Sequence, residues 1–298
     1  MKAGKTALIL LLLAVIAPVV TGQNLKDLLD ETEAEQRLPV EGLWKSTRII
    51  NGHSSKQLNR RELDYRISHR FGRINSGPYE FFGLDQSTIH LSMEYGITDR
   101  LMVGIGRGSF EKTVDGFLKW SIANQQSGPG AFPFTISMVS SFEINTLRWQ
   151  NPERDNLFSS RLTYSYQAIA ARKFGKFTLQ LTPTLVHRNL VHLSGDYNDI
   201  LALGVGGRYK LTNRIALTGE YYLVNHPRTV LTTQLYNPFS LGFDIETGGH
   251  VFQIMLTNSL GMREGTFIGN TNGRWAKGDI HLGFNISRVF TLKKGKGK

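Results

Sequence analysis

From about residue 60 to residue 290 the chain alternates bulky and polar residues with a period of two, and this pattern constrains the fold more than any other feature. In Leu63, Tyr65, Ile67, His69 and Phe71 every second side chain is large, while Glu62, Asp64, Arg66, Ser68 and Arg70 fill the gaps. Ile89, Leu91, Met93 and Tyr95 repeat it against His90, Ser92 and Glu94. It returns in Phe177, Leu179 and Leu181, and again in Ile280, Leu282, Phe284 and Ile286. Strands of this kind present one apolar and one polar face.

The linkers alternate too, in length. Short turns lie at Thr98-Asp99-Arg100, Phe174-Gly175-Lys176, Thr212-Asn213-Arg214 and Thr247-Gly248-Gly249, with longer polar stretches at 147–158, 190–199, 227–239 and 261–278. Outer-membrane barrels have tight periplasmic turns and longer external loops. Strands are expected near 60–72, 87–97, 101–109, 114–123, 133–146, 159–172, 177–189, 200–211, 215–226, 240–247, 249–260 and 279–290. The fold class is therefore all-β, a closed antiparallel transmembrane barrel of about twelve strands, with ten to fourteen admitted. With the N-terminus periplasmic, all four short turns fall on that side. Segment 43–51 fits either a further strand or a passage into the lumen.

The first residues indicate export. Lys2 and Lys5 precede an apolar run, Ala7 to Ala17, then Pro18 and Val20-Thr21-Gly22, the order of a secretory signal over 1–22. Residues 23–58 read as a short amphipathic helix (Leu25, Leu28 and Leu29 on one face, ended by Pro39) and an extended lead-in. The barrel is assigned to 59–292 and a basic tail to 293–298. The chain has no cysteine, which excludes disulfides, thiol catalysis and lipidation at a cysteine. Lys and Arg total 35 against 24 Asp and Glu. For an exported chain that excess points to an anion path or an anionic lipid surface, and nucleic acid is not expected as a partner.

The runs Ser46-Thr47-Arg48-Ile49-Ile50-Asn51-Gly52-His53-Ser54 and Ile67-Ser68-His69-Arg70-Phe71-Gly72 carry a resemblance to a known family. So do Phe81-Phe82-Gly83-Leu84-Asp85, Glu94-Tyr95-Gly96-Ile97-Thr98-Asp99-Arg100-Leu101 and Gly104-Ile105-Gly106-Arg107. Together they are similar to an uncharacterised family of bacterial outer-membrane β-barrels, over essentially the whole chain after the signal. The resemblance implies a barrel and an outer-membrane address, and implies no substrate and no catalytic residue. The chain departs from the common barrel ending, since Phe290 is followed by Thr291 to Lys298.

No motif carries catalytic or cofactor chemistry. Gly104-Ile105-Gly106-Arg107-Gly108 and Gly204-Val205-Gly206-Gly207 open no helix and miss the dinucleotide spacing. Ser68 and His69 are adjacent and so point to opposite faces, which defeats a lipase-type pair. The eight histidines show no ligand spacing, and Gly195 to Asp199 falls short of a calcium loop. No cofactor and no metal are expected.

The candidate functional residues are those of the polar face, expected to line a lumen: Arg66, Arg70, His90, Glu94, Arg107, Lys119, Glu143, Arg208, Glu220 and His281. With Arg172 and Arg288 also placed on that face, basic residues slightly outnumber acidic ones there. The function expected is a non-enzymatic outer-membrane barrel, either a narrow channel for small polar or anionic solutes or a structural barrel. Its partners would be outer-membrane lipid and the barrel-assembly machinery. The alternatives are a membrane-embedded hydrolase of the phospholipase type and a soluble periplasmic ligand-binding barrel.

Overall fold

The computed structural model describes residues 37–191, 197–225 and 234–292. The signal, the helix expected over 24–37 except Arg37, His192, part of the 195–199 loop and the basic tail lie outside the described residues. The chain divides into a small unit, residues 1–38 with 128–130, and a body of 39–127 and 131–298 that holds every strand of the barrel.

Twelve antiparallel strands close that barrel. They are β1 Glu62–Arg73, β2 Ser87–Gly96, β3 Leu101–Gly108, β4 Val114–Ala123, β5 Thr135–Ile144, β6 Leu162–Phe174, β7 Phe177–Arg188, β8 Asp199–Lys210, β9 Ile215–Val224, β10 Phe239–Thr247, β11 His250–Thr257 and β12 His281–Thr291. Each pairs with its sequence neighbour, and β12 closes on β1 with Ile286 opposite Ile67. Closure leaves no unpaired edge.

Local chemistry sets the tight turns. Thr98 Oγ1 accepts the backbone N–H groups of Arg100 and Leu101, and Thr212 Oγ1 does the same for Arg214 and Ile215. A threonine hydroxyl that substitutes for a backbone acceptor fixes such a turn locally. Where the chain reverses faster, between β6 and β7, Gly175 takes a φ of +56° that side-chain-bearing residues rarely adopt.

Period-two alternation then decides what faces where. The outer face exposes Leu91, Met93, Ile105, Leu118, Trp120, Met138, Tyr166, Leu223 and Ile254. The inner face buries Asp64, Arg66, Ser92, Glu94, Lys119, Gln180, Thr182, Glu220 and Asn285. A soluble barrel would carry the reverse arrangement. Apolar surface of this extent on the outside is stable only against hydrocarbon, where closed barrels satisfy every backbone group.

Candidate functional site

The lumen is the candidate site, and two segments of the chain fill it. The first is the lead-in, whose feet stand at the short-turn end: Val40 N–H bonds Gln125 O, and Arg60 N–H bonds Asp99 Oδ1. Between these feet the chain rises into the barrel and turns back as a small hairpin. Ile49 N–H bonds Gly52 O at 2.8 Å, Ser54 N–H bonds Thr47 O at 2.9 Å, and Arg48 pairs with His53. Residues 46–55 are buried throughout.

Wall side chains hold the hairpin by its backbone. Glu220 accepts N–H groups from Asn51 (2.8 Å), Gly52 (3.0 Å) and Ile50 (3.4 Å). Gln253 donates to Ile49 O and Asn285 to Ile50 O, while Gln180 both donates to His53 O and accepts from Ser55 N–H. Lys119 donates to the carbonyls of Ser54 and Lys56. These bonds satisfy the hairpin's backbone inside the lumen, where an unmade buried bond costs about 1–3 kcal/mol. Apolar contacts anchor the ends: Leu43, Trp44 and Ile49 pack with Ala171, and Leu58 packs with Met102, Phe117, Val139 and Ile169.

The second insertion comes from the long-loop end. The connection between β11 and β12 folds inward and forms one short helix, α1 Glu264–Phe267, buried along its whole length. Phe267 and Ile268 pack on Val186, Ile200 and Tyr222 of the wall. The two insertions meet at mid-barrel, where Arg48 Nη1 bonds Glu264 Oε1 at 2.7 Å with both side chains almost wholly buried. Beside this clasp Arg263 Nε lies 3.1 Å from Asp115 Oδ2, and Asp115 Oδ1 lies 2.5 Å from His90 Nε2. Gly265 N–H donates to Glu143 Oε1 at 2.6 Å.

Nine of the ten candidate residues have buried side chains on the inner face. Arg66 bonds Ser46, Thr47 and Asp64; Arg70 bonds Asn51 Oδ1 and Asn285 Oδ1; Glu94 lies 3.9 Å from Arg66 Nε. Arg208 faces Asp244 at 3.5 Å, and His281 Nδ1 meets Phe71 O. His90, Lys119, Glu143 and Glu220 stand in the contacts already described. His90 and His281 have separate partners and do not form one site.

Arg107 is a correction. It stands exposed on the outer face at the long-loop rim, bonded to Lys112 O and Thr146 Oγ1. Its neighbours Gly104, Gly106 and Gly108 take the inward positions of β3, because the space a Cβ would need there is held by Phe117, His90 and Thr113. A glycine face carries no polarity, so the charged residue drew the assignment to the wrong side. Arg172 and Arg288 also lie outside, stacked over Phe134 and Phe174 and over Phe290. Guanidinium groups on aromatic rings suit a membrane interface. Without them the buried lumenal charges are near balance, Arg48, Arg66, Arg70, Lys119, Arg208 and Arg263 against Asp64, Glu94, Asp115, Glu143, Glu220, Asp244 and Glu264.

The family model described as membrane bound beta barrel domain (DUF5777) matches residues 44–290. The chain belongs to this family. The match begins at Trp44, so the lumenal hairpin falls within the family domain. No curated protein matches the chain. Among solved structures it is similar to the NanC porin, at 9% identity and a TM-score of 0.48, over 78% of this chain and 100% of that one. It is also similar to the COG4313 outer membrane channel from Pseudomonas putida F1, at 13% identity and a TM-score of 0.46, over 79% and 97%. The KdgM porin gives 8% identity and a TM-score of 0.44, over 78% and 99%. This DUF5777 protein is a membrane-bound β-barrel with its own chain folded into the lumen. Sequence reading missed Arg48, Arg263 and Glu264 as buried lumenal side chains. The available signal was the loss of period-two alternation over 258–271, where Arg263 and Glu264 stand side by side in an external loop. Among the described residues no cluster suited to a metal ion occurs.

Proposed function

We propose that this protein is an outer-membrane channel for small polar solutes, held closed by its lead-in hairpin and its inward-folded loop. The observation that carries the reading is the chemistry of the hairpin seat. Glu220, Gln180, Gln253, Asn285 and Lys119 bind backbone groups, and water can replace each of those bonds when the hairpin leaves. A polar wall then remains, and a polar interior is what passes polar solutes.

A second reading, a structural barrel with a permanent plug, is favoured by the apolar clusters that anchor both insertions. Conductance in planar bilayers separates the two. The channel reading expects the intact chain to be closed or to flicker, and a variant lacking residues 43–58, with 261–271 replaced by a short glycine-serine link, to conduct steadily. Silence from that variant at every voltage, with its barrel folded, would establish the plugged structural barrel instead.

The protein is read as non-enzymatic, with outer-membrane lipid around it and the barrel-assembly machinery as the partner that inserts it. Ser68 turns into the lumen, whereas His69 lies on the outer face stacked on Phe284, which supports that reading over a lipase-type hydrolase.

A further inference from the structure

Above α1, at the long-loop end, the strands and loops enclose a vestibule of about 360 Å³ whose charge differs from that of the lumen below. Arg148, Arg154, Arg161 and Arg188 line it, with Glu111 and Glu143 as its carboxylates. Glu143 is engaged by Gly265 N–H at 2.6 Å, and Glu111 by Asn145 Nδ2 at 3.4 Å. Arg161 donates to the carbonyls of Asn145 and Leu147 and lies 3.8 Å above the Trp149 ring, which fixes the indole at the vestibule wall. Among the described residues neither Arg148 nor Arg154 forms an ion pair. The vestibule lining therefore carries four guanidinium groups against two carboxylates, unlike the near-balanced lumen.

We propose that this vestibule is a recognition site for an anionic sugar, a small polyhydroxylated molecule bearing a carboxylate or a phosphate. The inference rests on the channel reading, for which it names the solute class. Guanidinium forks match carboxylate and phosphate oxygens in pairs. The remaining lining combines amides and hydroxyls (Gln150, Asn156, Ser160, Asn270), which both donate and accept and so suit ring hydroxyls, with Leu147, Trp149 and Leu190, which suit the C–H face of a sugar ring. A bare inorganic anion is too small to reach more than a few of them. The volume lies within the range of small-molecule sites and fits a mono- or disaccharide. Its floor includes Gly265 and Thr266 of α1, next to Glu264, which holds Arg48 of the hairpin. An occupant therefore touches the segment that closes the lumen.

The test is isothermal titration of the full chain in detergent with four probes: glucuronate, glucose 6-phosphate, glucose and inorganic phosphate. The two sugar anions are expected to bind saturably, with glucose and inorganic phosphate each at least about tenfold weaker. The R148A/R154A variant is expected to lose at least about tenfold in glucuronate affinity while migrating as a folded barrel on unheated gels. Glucose binding as tightly as glucuronate, inorganic phosphate binding as tightly as the sugars, or an unchanged double variant would each overturn the proposal. Conductance without this selectivity would remove the vestibule site and leave the channel. Selective binding with no conductance from any variant would do the reverse.

Discussion

Glu220, on the inner face of β9, accepts the backbone N–H groups of both Asn51 and Gly52 at the tip of the lumenal hairpin, at 2.8 and 3.0 Å. One buried carboxylate thus holds the most deeply inserted point of the lead-in. Glu220→Ala removes the acceptor and leaves those donors unpaired, at a cost of about 1–3 kcal/mol. The expected outcome is a hairpin that leaves its seat more often, read as cleavage of the lead-in by added protease and as longer open events in bilayers.

Arg48 and Glu264 join the two insertions, and breaking one partner of a buried pair strands the other charge. Glu264→Ala is expected to destabilise the folded barrel by about 3–5 kcal/mol, measured by urea unfolding in lipid vesicles. The double variant R48M/E264M is expected to recover part of that loss. Equal stability of single variant and native chain would show that the clasp contributes nothing.

Leu118 projects from the outer face of β4, level with Val103 on β3 and Ser140 on β5. Leu118→Arg is expected to cost about 2–4 kcal/mol in a bilayer, because a guanidinium there meets hydrocarbon. The same change on a water-facing surface would stay within about 0.5 kcal/mol.

At the long-loop end Asp279 is held below the ordinary aspartate pKa of 3.8, first by the Asn75 side-chain amide and then by the Arg274 backbone N–H. A carboxylate with a lowered folded pKa contributes stability above its unfolded pKa and loses it as pH falls through the folded one. Exchange of the Arg274 amide is therefore expected to accelerate as pH drops below 3.8, relative to neighbouring amides after correction for intrinsic rates. Asp279→Asn is expected to abolish that dependence.

Strand positions were legible from the sequence because one face had to be apolar, and a slip of one residue would have inverted every side chain. The even strand count followed from four short turns alternating with longer loops, and at Thr98 and Thr212 the turn chemistry is local. Arg107 was placed on the wrong face because its strand turns glycines inward, which erases the contrast the pattern needs. The lumenal filling was hidden for a different reason. Residues 46–55 and most of 258–271 are buried against a wall that is largely polar, so their burial required no apolar periodicity, and their bonds to Glu220 and Glu143 join positions far apart in the chain.

Trp44 and Trp120 test the central claim together, since Trp44 is 2% exposed inside the lumen and Trp120 is 52% exposed on the outer wall. Variants keeping one of these tryptophans and replacing the others by phenylalanine can be reconstituted in vesicles of brominated phosphatidylcholine. Strong bromine quenching of Trp120, with Trp44 protected from both bromolipid and aqueous iodide, is the predicted result. Quenching of Trp44 by bromolipid, with Trp120 reached by iodide alone, would contradict a barrel that faces lipid outside and encloses its own lead-in.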